Sequence, residues 1–141
     1  MRETKYFIDT NIFLRVIVKD DLRKARDCES FIIKVESGKF KAITSSIVLA
    51  EVVWTALSFY KIEKQQIVKI LSGILGIKNL KIEDKYKPLD AVLKYAHHNV
   101  KFIDCLIASD SRIASKKIKV VSYDKDFDSL GAKRLEPSEI I

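Results

Sequence analysis

The chain has 141 residues, 48% of them hydrophobic, with only four glycines and two prolines, which suits one cored domain over 1–141 and excludes a disordered or low-complexity segment. A net charge of +7 favours polyanionic partners such as nucleic acid without requiring them, because a lysine-rich soluble surface gives the same balance. Two distant cysteines, Cys28 and Cys105, exclude a disulfide framework or a thiolate zinc site; no signal-peptide core or ~18-residue apolar run is present, so the expectation is a cytoplasmic protein with no membrane partner.

KYFID (5–9) predicts a short buried strand, followed by a helix from Asn11 to about Val18. Asp20 or Asp21 is placed to cap a second helix over 22–37, in which Ala25, Cys28, Phe31, Ile32 and Val35 recur at helical spacing and which Gly38 ends. KAIT (41–44) fits a brief strand. Ser45 or Ser46 then caps a strongly apolar helix reaching about Phe59. Residues 64–76 predict another helix, and NLKIE (79–83) a strand. Pro88 suits the first turn of a helix through His97, and 102–116 predict one further helix. KIKVVSYD (117–124) is the clearest strand, KDFDSLG a short turn or helix, and KRLEP a last edge strand. Strands alternating with helices predict an α/β fold with a parallel sheet covered on both faces.

Four acids sit where acids are out of place. Asp9 ends the first strand between apolar runs, where a helix cap is the ordinary explanation. Glu51 lies in SSIVLAEVVWTAL beside Ile47, Val48 and Trp54, and no Lys or Arg occurs between Lys41 and Lys61 to pair with it. It sits at the solvent edge, or it must find a distant partner or a cation. Asp104 in VKFIDCLIAS reads equally as a first-turn acid favoured by the helix dipole. Asp124 follows IKVVSY as Asp9 follows KYFI, with Asp126 and Asp128 next; a polar turn is the plain alternative. If the two strands are adjacent, Asp9 and Asp124 share one sheet edge, where ligands of open α/β sheets collect. Clustered carboxylates repel, and a divalent cation turns the repulsion into binding; Mg²⁺ and Mn²⁺ prefer such oxygens.

These residues resemble the PIN-domain nucleases. FIDTNIFL is similar to that family's opening motif with Asp9 as its acid, SSIVLAEVVW to the helix carrying its glutamate (Glu51), FIDCLIAS to its third motif (Asp104), and VVSYDKDFD to its fourth, with Asp124 as principal acid and Asp126 as a frequent second. Position 122 is Ser where the family often has Thr, and the hydroxyl is kept. The short form looks most like the VapC-type toxins of toxin–antitoxin pairs. The resemblance implies a three-layer α/β/α sandwich with a central parallel sheet, an acidic pocket for Mg²⁺ or Mn²⁺, hydrolysis of RNA phosphodiesters, a homodimer, and a cognate antitoxin.

On that basis Asp9, Glu51, Asp104 and Asp124 are the expected catalytic residues. The same four with Asp126 are the metal ligands, and Thr10, Asn11 and Ser122 orient the carboxylates. Setting the four acids aside leaves 26 basic residues against 15 acidic (19 − 4), a surface basic enough to hold RNA phosphates. Arg112, Lys116, Lys117, Lys119 and Lys125 are the candidates, each of which also reads as an ordinary solvated cation. His97-His98, near a helix C-terminus, are not needed as ligands. Cys105 reads as core, and Trp54, Phe59 and Tyr60 as core or dimer interface. Glu83, Asp84 and Glu136 read as solvated. A phosphatase with an aspartyl nucleophile would need a second Asp where Asn11 stands; a receiver-type domain or a non-catalytic RNA-binding protein remain the alternatives.

Overall fold

Three short, largely buried central strands set the architecture. The computed structural model describes residues 5–141. Strand β1 (Lys5–Ile8) leads into helix α1 (Thr10–Val18) and α2 (Leu22–Glu36), then β2 (Lys41–Thr44), α3 (Ser46–Ser58), α4 (Lys64–Leu75) and β3 (Leu80–Ile82). Helices α5 (Pro88–His97), α6 (Phe102–Ala108) and α7 (Ser111–Ala114) precede β4 (Ile118–Val121), α8 (Asp126–Ser129) and β5 (Arg134–Leu135).

The five strands form one sheet in the order β3-β2-β1-β4-β5, every neighbouring pair parallel. Phe7 pairs with Ile43 on one side and Val120 on the other, and Ile8 pairs with Val121. The chain leaves β1 towards β2 but later returns to β4 on the opposite flank. The carboxyl ends of β1 and β4 therefore bound the crevice where connections diverge, the position that open parallel sheets use for ligands. With helices on both faces this is a three-layer α/β/α sandwich.

Local chemistry explains the elements. Asp21 caps α2 by accepting from the Lys24 N–H at 3.1 Å, and Ala25, Cys28, Phe31 and Val35 are its buried positions. Phe31 meets Tyr6 edge-on at 5.7 Å and stacks on Phe40 at 5.7 Å, which pins α2 to the sheet. Gly38, at φ +84°, supplies the left-handed turn beyond α2.

Several elements differ from the sequence expectation. The helix expected over 102–116 is two, α6 and α7, because Asp110 takes an N-cap position and accepts from the Arg112 N–H at 2.8 Å, restarting the helix. The strand expected over 117–124 is only β4, so Ser122 and Asp124 lie beyond its end. Neither Ser45 nor Ser46 caps α3 by itself. Asp84, arriving after β3, accepts from the Ser46 N–H at 2.8 Å and from its Oγ at 2.6 Å. Trp54 and Phe59 are 68% and 74% exposed and take no part in the core. No helix among the described residues is long and apolar enough to cross a membrane.

Candidate metal centre

The ends of two strands deliver two acids, and three helices deliver three more. Asp9 lies one residue past β1, and Asp124 three past β4; Asp104 is in the first turn of α6, Glu51 is on α3, and Asp126 opens α8. Asp9 and Asp104 are 3% and 1% exposed. Acids are almost never that deep without a partner.

Asp9 occupies the N-cap position of α1, yet its side chain makes no capping hydrogen bond. It is turned across the crevice instead. Ser122 Oγ donates to Asp9 Oδ2 at 2.7 Å, and Asn11 Nδ2 donates to the same oxygen at 3.1 Å and to Ser122 Oγ at 3.0 Å. The Tyr123 N–H donates to Asn11 Oδ1 at 3.1 Å, and the Asp124 N–H to Ser122 Oγ at 3.0 Å. One hydroxyl thus ties the ends of β1 and β4 together and fixes the Asp9 carboxylate. The Thr10 hydroxyl is buried without a partner among the described residues. The Asp126 N–H donates to Asp124 Oδ1 at 3.0 Å, so Asp124 is braced from its own turn.

What remains unpartnered is informative. Asp9 Oδ1 and both carboxylate oxygens of Asp104 are buried without a hydrogen-bond donor among the described residues. Burial pushes Asp9 up to about 6; the bonds from Ser122 and Thr10 pull it down, and Glu51 adds to the rise. Burial likewise pushes Asp104 up to about 8, with Lys101 opposing and Asp9 and Asp124 adding. One oxygen each from Asp104, Asp124 and Asp126 lie within 4.8 Å of one another. Orphaned buried oxygens beside a carboxylate triplet form a hard-oxygen donor set suited to a divalent cation of the Mg²⁺ or Mn²⁺ kind. Glu51 and Asp9 stand outside that tightest triplet. The electrostatic influence of Glu51 on Asp9, and of Asp9 and Asp124 on Asp104, places all four acids in one field.

The sequence offered no local cation for Glu51; the structure supplies a distant one. Lys101 Nζ lies 3.5 Å from Glu51 Oε2 and 3.8 Å from Asp124 Oδ2. Burial alone would lower its pKa, yet Asp104, Glu51, Asp124 and Asp9 outweigh that and raise it. Lys101 escaped the sequence reading because nothing local marks it; its position three residues before Asp104, at the N-cap of α6, is the one usable signal.

The basic candidates divide. Lys125 sits between Asp124 and Asp126, beside the acids. Arg112 and Lys117 line a groove of about 600 Å³ with Lys5, Lys41 and Ile118, the first residues of β1, β2 and β4, at the sheet edge away from the acids. Lys116 precedes that same end of β4, and Lys119 is the second residue of the strand. Arg112 is engaged besides. Its Nε and Nη2 donate to Asp110 at 3.1 and 2.8 Å and its Nη1 to Glu83. Glu83 is therefore partnered, not simply solvated. His97 closes α5, and His98 Nδ1 lies 2.9 Å from the Lys94 carbonyl oxygen; neither belongs to the carboxylate triplet.

The sequence model of the PIN domain matches residues 6–133. The chain is 26% identical over 132 residues to a VapC ribonuclease of Aquifex aeolicus (strain VF5), covering 94% of this chain and 96% of that protein. Among solved structures it is similar to the crystal structure of VapBC2 from Rickettsia felis bound to a DNA fragment from their promoter. The TM-score is 0.67 at 20% identity, over 94% of this chain and 98% of that one, a likeness of fold.

Proposed function

Because the chain belongs to the PIN-domain family, we propose that it is a Mg²⁺- or Mn²⁺-dependent endoribonuclease that hydrolyses RNA phosphodiester bonds as the cytoplasmic toxin of a toxin–antitoxin pair. The observation that carries this reading is the pair of buried aspartates, Asp9 and Asp104, with unpartnered oxygens at the strand switch point, Asp104 grouped with Asp124 and Asp126. An apolar replacement would serve stability better, so the acids are held there for a ligand. The ribonuclease name of the Aquifex aeolicus relative supports the substrate class, and the VapBC2 likeness supports a cognate antitoxin.

When bound, the ion supplies a Lewis acid that offsets charge on the phosphate and eases deprotonation of an attacking water. The chain's own residues do the rest. Asp9 is held in one orientation by Ser122 and Asn11, so its free Oδ1 is pre-aimed. Asp104 brings two free oxygens from α6, and Asp124 and Asp126 complete the donor set. Glu51, 13% exposed at its side chain, either ligates the ion or orients the water. Lys125 is placed to meet a phosphate next to the acids.

A homodimer fits the surface. Helix α5 exposes Leu89, Val92, Leu93 and Tyr95, and Phe102 extends the patch by meeting Tyr95 edge-on at 5.6 Å. Contiguous exposed apolar surface of this kind marks an interface.

The deciding experiment is an RNA cleavage assay with and without Mn²⁺ on the wild type and Glu51→Gln. Cleavage only with Mn²⁺, lost in Glu51→Gln, is the expected result. Cleavage that persists in chelator, or that Glu51→Gln retains in full, removes the proposal.

A further inference from the structure

In the metal-free protein Lys101 sets a positive charge beside two of the four acids. Its backbone is anchored as the N-cap of α6, where its carbonyl accepts from the Asp104 N–H at 3.1 Å and the Cys105 N–H at 3.3 Å. Its side chain is 57% exposed and reaches across the mouth of the pocket to carboxylates from two other parts of the chain. Nζ lies 3.5 Å from Glu51 Oε2 on α3 and 3.8 Å from Asp124 Oδ2 beyond β4. The ammonium thus pairs with acids that the proposed reading gives to the divalent ion.

We propose that Lys101 is a built-in counter-cation of this site: it holds the metal-free acid cluster together, competes with the divalent ion for Glu51 and Asp124, and so sets the ion concentration at which the pocket loads. The inference rests on the metal-dependent reading above. A dication entering the cluster either displaces the ammonium or tolerates a like charge a few ångströms away, and both oppose binding. The exposed position of the ammonium makes the competition moderate. Each ion pair of this kind is worth up to a factor of about five in an equilibrium constant. Two such pairs, plus the relief of repulsion, give an expected five- to tenfold effect, roughly. Because the side chain is mostly solvent-exposed and its backbone role survives substitution, Lys101→Gln is expected to fold.

The test is calorimetric titration of Mn²⁺ into the full chain, as wild type, Lys101→Gln and Lys101→Arg, with thermal unfolding of each in chelator and in saturating Mn²⁺. Lys101→Gln should bind Mn²⁺ about five- to tenfold more tightly, and Lys101→Arg should stay near the wild type. In chelator Lys101→Gln should melt roughly 2–4 °C lower, because the acids have lost their counter-charge. In Mn²⁺ that deficit should vanish or reverse. A Lys101→Gln Kd within twofold of the wild type, or a melting deficit equal in chelator and in Mn²⁺, overturns the inference and leaves the nuclease reading standing. Failure of the wild type itself to bind Mn²⁺ overturns both.

Discussion

Replacing Asp104 by Asn should stabilise the metal-free protein while abolishing its response to Mn²⁺. The side chain is 1% exposed and both its oxygens lack a donor among the described residues. Burial pushes its pKa from 3.8 up to about 8, with Lys101 opposing and Asp9 and Asp124 adding. Between those values the folded protein retains a proton that the unfolded chain releases. Stability therefore falls as pH rises through the window, by up to about 1.4 kcal/mol per pH unit from this one group. Asp9, pushed up to about 6, adds its own slope at lower pH but is ionised in both states above that. The interval from pH 6.5 to 8 therefore isolates Asp104. Asparagine has nearly the same shape and no proton to lose. Its advantage in chelator should grow with pH and reach at most about 4 kcal/mol at pH 7. The assay is urea unfolding at several pH values in chelator, repeated in Mn²⁺. Mn²⁺ should stabilise the wild type and leave Asp104→Asn unmoved. Parallel pH profiles for the two proteins, or a variant less stable than the wild type at pH 8, would refute the reasoning.

Ser122→Ala removes the hydroxyl that donates to Asp9 and accepts from Asn11 and the Asp124 N–H. Loss of about 1–3 kcal/mol by urea unfolding and a roughly 10- to 100-fold weaker Mn²⁺ Kd are expected. An unchanged Kd would show that Asp9 needs no such support. Arg112→Gln should cost about 2–3 kcal/mol of stability, since it strands Asp110 and Glu83, while RNA affinity and its salt slope stay constant; a shallower salt slope would instead make Arg112 a phosphate contact. The double change Leu89→Asp with Leu93→Asp should leave the far-ultraviolet circular dichroism intact and convert a dimer to a monomer by light scattering; a persistent dimer would place the interface elsewhere.

Much of this was legible because buried strands are apolar on both sides, so a carboxylate following KYFI or IKVVSY stands out against its background. Alternation with helices gave a parallel sheet but left the strand order open; the structure makes those strands neighbours, and the pairing of Ile8 with Val121 places Asp9 and Ser122 side by side. What escaped were partnerships formed at long range. Glu51 has no cation nearby in sequence, and Lys101 lies fifty positions on. Glu83, Asp84 and Glu136 looked solvated. In the fold, Glu83 holds Arg112, Asp84 caps α3 from beyond β3, and Glu136 binds Arg134 at 3.0 Å. The break at Asp110 was hidden by helical periodicity on either side, because a short side chain that restarts a helix leaves the apolar pattern almost unchanged. Trp54 and Phe59 were ambiguous on hydrophobicity alone, which cannot separate a core residue from one awaiting a partner.

The hydroxyl that locks Asp9 is contributed by a residue 113 positions further along. Asp9 precedes the strand that completes its surroundings by more than a hundred positions, so closure of that long loop must come before any working centre. A nascent or truncated product ending before residue 118 lacks β4 and everything β4 positions.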